Sequence, residues 1–136
     1  LVEKLDPKDR YQVRSTSITE SNIRAVLNGL MLEEVKVILA RRTGVPTEKY
    51  TFFSDALEAI TNSLQWLNDQ AAHFRPRTPG YKEFHLTCAW EHISHYDLLP
   101  LHYANLKPIV EAVLENPIIQ KTSPFVLKPK TKDLAK

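Results

Sequence analysis

At 136 residues, with 43% apolar and 25% charged residues, the chain has the size and composition of one globular domain, which excludes disorder throughout. A net charge of +2 is too small to argue alone for a polyanionic partner. Cys88 is the only cysteine, which excludes an intramolecular disulfide and a cysteine-based zinc cluster within one chain.

That single thiol fits a reducing compartment, and no apolar run approaches the roughly 18–20 residues that cross a bilayer. A cytoplasmic protein with no membrane partner is the expectation. Only three glycines are present, Gly29, Gly44 and Gly80, and strict two-residue alternation is scarce. Hairpins and β-α-β units are therefore set aside in favour of an all-α domain.

Residues 1–16 are charged rather than signal-like and are read as an extended N-terminal segment. Ser17 with Glu20 three residues later has the spacing of a capping box, and Ile23, Val26, Leu27 and Leu30 follow on one helical face. Gly29 is a place for this helix to bend or end. The apolar set resumes with Met31, Val35 and Ile38 beside Leu32 and Leu39, and Arg41 and Arg42 suit the negative end of the helix dipole. Gly44 and Pro46 close the element, since glycine accepts the left-handed conformation and proline lacks an amide proton.

Between residues 55 and 74, Leu57, Ile60, Leu64, Leu67, Ala71 and Phe74 recur at alternating steps of three and four, so all six share one helical face. Ser54 is the natural N-cap, and Thr47 suits an earlier turn. Pro76, Thr78, Pro79 and Gly80 make a turn-rich connection. A helix over residues 81–99 follows, ended by Pro100, with Leu86, Ala89, Trp90, Ile93 and Tyr96 on one side and His85, Cys88, His92 and His95 on another. A last helix over residues 106–116 turns Leu106, Ile109, Val110, Val113 and Leu114 inward, with Pro108 tolerated in its first turn. Residues 117–136 hold Pro124, Pro129 and several lysines and read as an extended tail.

The histidine stripe is the first place to look for chemistry, because residues four apart on a helix, such as Cys88 and His92, can grip one ion. A rigid third ligand is wanting, His102 being the one helper, and histidines that mediate packing are the preferred reading. No nucleophile elbow, phosphate-cradling glycine loop, HExxH or EF-hand pattern is present, so neither an enzyme nor a cofactor or metal site is assigned. Residues 36–55 can be laid over a helix-turn-helix, with Ala40 at the crossing, Gly44 at the turn, and Val45 and Tyr50 inward. Arg41, Arg42 and Lys49 would then touch phosphates, and Thr47 or Thr51 would lie near base edges. Glu48 and Asp55 make that face poor for phosphate neutralisation, and a packed helix end with its C-cap explains Ala40 and Gly44 equally.

Phe52 and Phe53 read as core filling, whereas Trp66, beside the centre of its stripe, reads as an interface anchor. In the tail, Phe125 and Leu127, with Ile118, Ile119 and Val126, either dock on a neighbour or pack back on their own bundle. The whole is a single compact helical bundle of four or five helices over residues 17–116, antiparallel by its short connections, with extended ends at 1–16 and 117–136. The favoured function is a non-catalytic adaptor or regulatory subunit that presents a helical surface to a protein partner through Trp66, Phe125 and Leu127. The alternative is a nucleic-acid-binding regulator using residues 36–55, and the third is a metal-binding or enzymatic protein using residues 85–95. A homo-oligomer is compatible with each.

Overall fold

In a computed structural model, which describes residues 1–14, 17–123 and 125, the chain forms six α-helices, with no strand among the described residues. They are α1 (Val2–Leu5), α2 (Ile18–Arg42), α3 (Thr51–Asp69), α4 (Tyr81–His95), α5 (Lys107–Leu114) and α6 (Pro117–Thr122). None is long and apolar enough to cross a membrane. The all-α bundle read from the periodicity is the fold observed.

Helix α2 opens where expected: Ser17 is extended (φ −146°, ψ 163°) and its hydroxyl oxygen accepts the amide hydrogen of Glu20 at 3.2 Å. It runs through Gly29 without a break. A helical glycine costs about 1 kcal/mol against alanine, and the buried Ile23 and Leu27 before it and Leu30, Val37 and Ile38 after it outweigh that cost. The helix ends in a Schellman arrangement. Gly44 is left-handed (φ +81°), its amide donates to the Arg41 carbonyl at 3.1 Å, and the Val45 amide donates to the Ala40 carbonyl at 3.0 Å. The Ala40 to Gly44 spacing is thus the geometry of a helix end.

Helix α3 begins four residues before the expected Asp55, after a 3₁₀ turn over Thr47–Lys49. Ser54 lies inside the helix and donates its hydroxyl to the Thr51 carbonyl at 2.8 Å rather than capping. Packing overrides cap preference here, because Phe53 extends the row Ala56, Ile60, Leu64 and Leu67 upstream onto the core. Phe52, read as core, is exposed instead, since it falls a helical step away from that row. The stripe continues past the helix end through the 3₁₀ turn Ala71–His73 to the buried Phe74.

Helix α4 stops four residues short of Leu99. Asp97 adopts the left-handed conformation (φ +49°), which aspartate tolerates better than most side chains, and the Leu98 amide turns back to the Ile93 carbonyl at 3.1 Å. Leu98 is thereby buried. Asn116 and Pro117 end one helix and start another: the Asn116 side chain accepts from the Ile118 amide at 2.9 Å, and Pro117 occupies the first turn of α6.

The core lies where α2 packs against both α3 and α4, and α5 closes over α4. Ile23, Leu27, Leu30, Ile60, Leu64, Leu67, Leu86 and Ile93 are fully buried at its centre. Each such side chain contributes about 1.5–3 kcal/mol by leaving water. Polar ties fix the periphery: Tyr103 donates its hydroxyl to the Thr61 carbonyl at 3.4 Å, and the Asn105 amide donates to the Asn68 side chain at 3.0 Å.

Candidate binding groove

The N-terminal segment is held against the bundle at two places. Arg24 of α2 donates through its guanidinium to the carbonyls of Gln12 and Val13 and lies 5.4 Å over the Tyr81 ring. The Tyr81 amide donates to the Tyr11 carbonyl at 2.7 Å. Gly80 makes this approach feasible, since a Cβ there would sit 2.6 Å from that carbonyl oxygen. Beneath, the buried Glu83 carboxylate accepts the amides of Arg75 at 2.7 Å and Gly80 at 2.9 Å and so pins the loop before α4. Lys82 is buried beside it and paired with Glu20 of α2.

This clamp leaves an open groove of about 550 Å³ whose walls are Tyr11 and Val13 of the segment, Met31 of α2, and Tyr81, Phe84, His85 and Cys88 of α4. The Tyr11 and Phe84 rings are 6.5 Å apart, and the Tyr81 and His85 rings meet edge to face at 5.6 Å. Burial pushes the His85 pKa down, which favours the neutral imidazole. Desolvation, then the Glu91 and Glu34 carboxylates, raise the Cys88 pKa and keep it a thiol. The groove is therefore uncharged, and its sulfur is a poor nucleophile.

The histidine stripe divides into three environments. His85 and Cys88 line the groove, while His92 turns to Glu34, which is 0% exposed, with 3.5 Å between His92 Nδ1 and Glu34 Oε2. Neither Glu34 oxygen has a hydrogen-bond partner among the described residues. Burial raises the Glu34 pKa, and His92 opposes that shift. His95 stacks on Phe125 at 4.4 Å, and His92 meets the same ring edge to face at 5.5 Å. Among the described residues, no three His, Cys, Asp or Glu side chains are grouped to hold a metal ion.

The other residues singled out from sequence lie apart from one another. Trp66 is half-buried on α3 against the core and does not line the groove. Phe125 packs on α4 and borders a smaller cavity of about 280 Å³ with Trp90, Glu91, Ser94, His95 and Leu114. Leu127 lies outside the described residues. Arg41, Arg42, Lys49 and Thr51 are exposed, but Thr47 is only 8% exposed and accepts from Arg41 Nε at 3.4 Å. Val45 and Tyr50, expected inward, are exposed, because the helix after the turn folds back along α2 with Phe53 and Ala56 as its inner row.

Tyr11, Val13, Tyr81 and Phe84 carry no sequence motif that marks them as a site, and Met31 reads from its spacing as core. Tyr11 and Val13, two positions apart just after the charged run Lys8, Asp9 and Arg10, are the trace such a wall leaves in a sequence. Comparison of the chain with protein-family models, with curated proteins and with solved structures returns no match.

Proposed function

We propose that the protein is a non-catalytic binding module that receives an apolar segment of a protein partner in the groove between its N-terminal segment, α2 and α4. The observation that carries this reading is the groove's lining: three aromatic rings, a methionine, a valine, a neutral-leaning imidazole and a protonated thiol, open to solvent. Aromatic and methionine side chains are the residues that anchor protein interfaces, and an apolar trough between two helices and the N-terminal segment suits an amphipathic helix laying its apolar face inward. Trp66 would be a separate anchor on α3, and Phe125 one on the face of α4.

The test is selection of binders from a displayed library of amphipathic helical peptides, followed by affinity measurement on variants of the chain. Met31→Glu places a charge in the trough and is expected to weaken the selected peptides by at least about tenfold, while Trp66→Ala leaves them unchanged. Equal affinity for Met31→Glu and the native chain overturns the groove as the site. A loss confined to Trp66→Ala moves the site to α3.

A further inference from the structure

Helix α2 carries a second surface, independent of the groove. Ile18, Ser21, Ala25, Asn28, Leu32, Val35, Leu39 and Arg42 recur at alternating steps of three and four along the whole helix, and all eight are exposed. The first seven are uncharged, although Glu20, Arg24, Glu33, Glu34, Lys36 and Arg41 stand elsewhere on the same helix. Leu32, Val35 and Leu39 are 64%, 41% and 54% exposed. A three-four repeat kept free of charge is the pattern of a seam between two helices, not of a solvated face.

We infer that this seam is the contact between two copies of the chain, their α2 helices antiparallel about a two-fold axis near Leu30. Its two halves differ in size: Ser21, Ala25 and Asn28 toward the N-terminus, Leu32, Val35 and Leu39 toward the C-terminus. An antiparallel copy sets Leu39 over Ser21, Val35 over Ala25 and Leu32 over Asn28, so that each of these three large side chains meets a small one, with Ile18 against Arg42 at the two ends. A parallel copy stacks large on large and leaves the other half apart. Gly29 lies beside the axis, and a Cβ there would meet nothing within 4 Å in its own chain. The fold makes no use of its missing side chain, whereas a closely approaching second helix does.

The area suits a reversible dimer. Helix α2 has 25 residues, and a strip about 37 Å long and about 12 Å wide covers on the order of 900 Å² over both copies. Phe52 is 58% exposed and lies under Lys36 Nζ at 5.5 Å, next to the seam. Its burial brings the contact toward the roughly 1,200 Å² at which specific interfaces begin.

Sedimentation equilibrium of the full chain from micromolar to millimolar concentration is expected to show a monomer–dimer equilibrium, with Val35→Glu weakening it by at least about tenfold. Gly29→Ala keeps the test clear of folding defects: it is expected to raise the melting temperature, because alanine favours the helix and has room, while weakening association. In a Cys88→Ser background, chains carrying Ala25→Cys and Val35→Cys are expected to cross-link on mixing, and neither alone. A monomer at every concentration, a dimer indifferent to Val35→Glu and Gly29→Ala, or cross-linking of Val35→Cys chains with one another overturns the inference.

Discussion

Glu34 shows how one residue sets the pH response of the core. Its carboxyl is buried without a hydrogen bond among the described residues, its pKa is raised by burial, and His92 Nδ1 lies 3.5 Å from its Oε2. A raised folded-state pKa means that the stabilising contribution is fully present below the ordinary carboxylate value of 4.5 and is lost as pH rises through the folded-state value. Glu34→Gln removes that loss. The variant is expected to gain about 1–3 kcal/mol over the native chain at pH 8 and little at pH 4, read as the difference between their urea midpoints at the two pH values. The residue was legible as part of α2 but not as buried, because a glutamate beside the charged Glu33 looks solvated until α4 is packed on it.

Among the elements, the helices were legible wherever an apolar row at three-four spacing runs the full length, as in α2 and in Ile60, Leu64 and Leu67 of α3. Their ends were less so, for physical reasons. Ser54 has the chemistry of a cap, yet the buried row begins upstream of it, and burial outweighs a cap worth about 1 kcal/mol. Pro100 looks like the stop of α4, but the chain leaves the helix earlier by placing Asp97 in a left-handed turn that buries Leu98. Glycine at position 97 relieves the side-chain cost of that conformation. Asp97→Gly is therefore expected to stabilise the protein by about 0.5–1 kcal/mol, visible as a rise in melting temperature with unchanged helical circular dichroism.

Over the whole molecule, the single all-α bundle was legible because one contiguous apolar face per helix admits few other arrangements. The groove was not, because its walls come from three separated stretches that no spacing links: residues 11–13, Met31, and the first half of α4. What joins them is the clamp at Gly80. Gly80→Ala pushes a Cβ into the Tyr11 carbonyl and is expected to detach the N-terminal segment while sparing the helical core. Amide exchange at Tyr81, whose bond to the Tyr11 carbonyl is the tie that breaks, should accelerate strongly and that at Leu27 and Leu64 should not, a contrast read by hydrogen–deuterium exchange mass spectrometry.

The same clamp makes one side of the trough a different material from the other. Met31 and the α4 residues are set in regular helix, while Tyr11 and Val13 belong to a strap fastened by Arg24 and by the Tyr81 amide. Width is thus governed by a fastening outside the trough. Under the proposed binding, an occupant would bear on this strap as well as on the helices, so Arg24, which does not line the trough, would influence which guests fit.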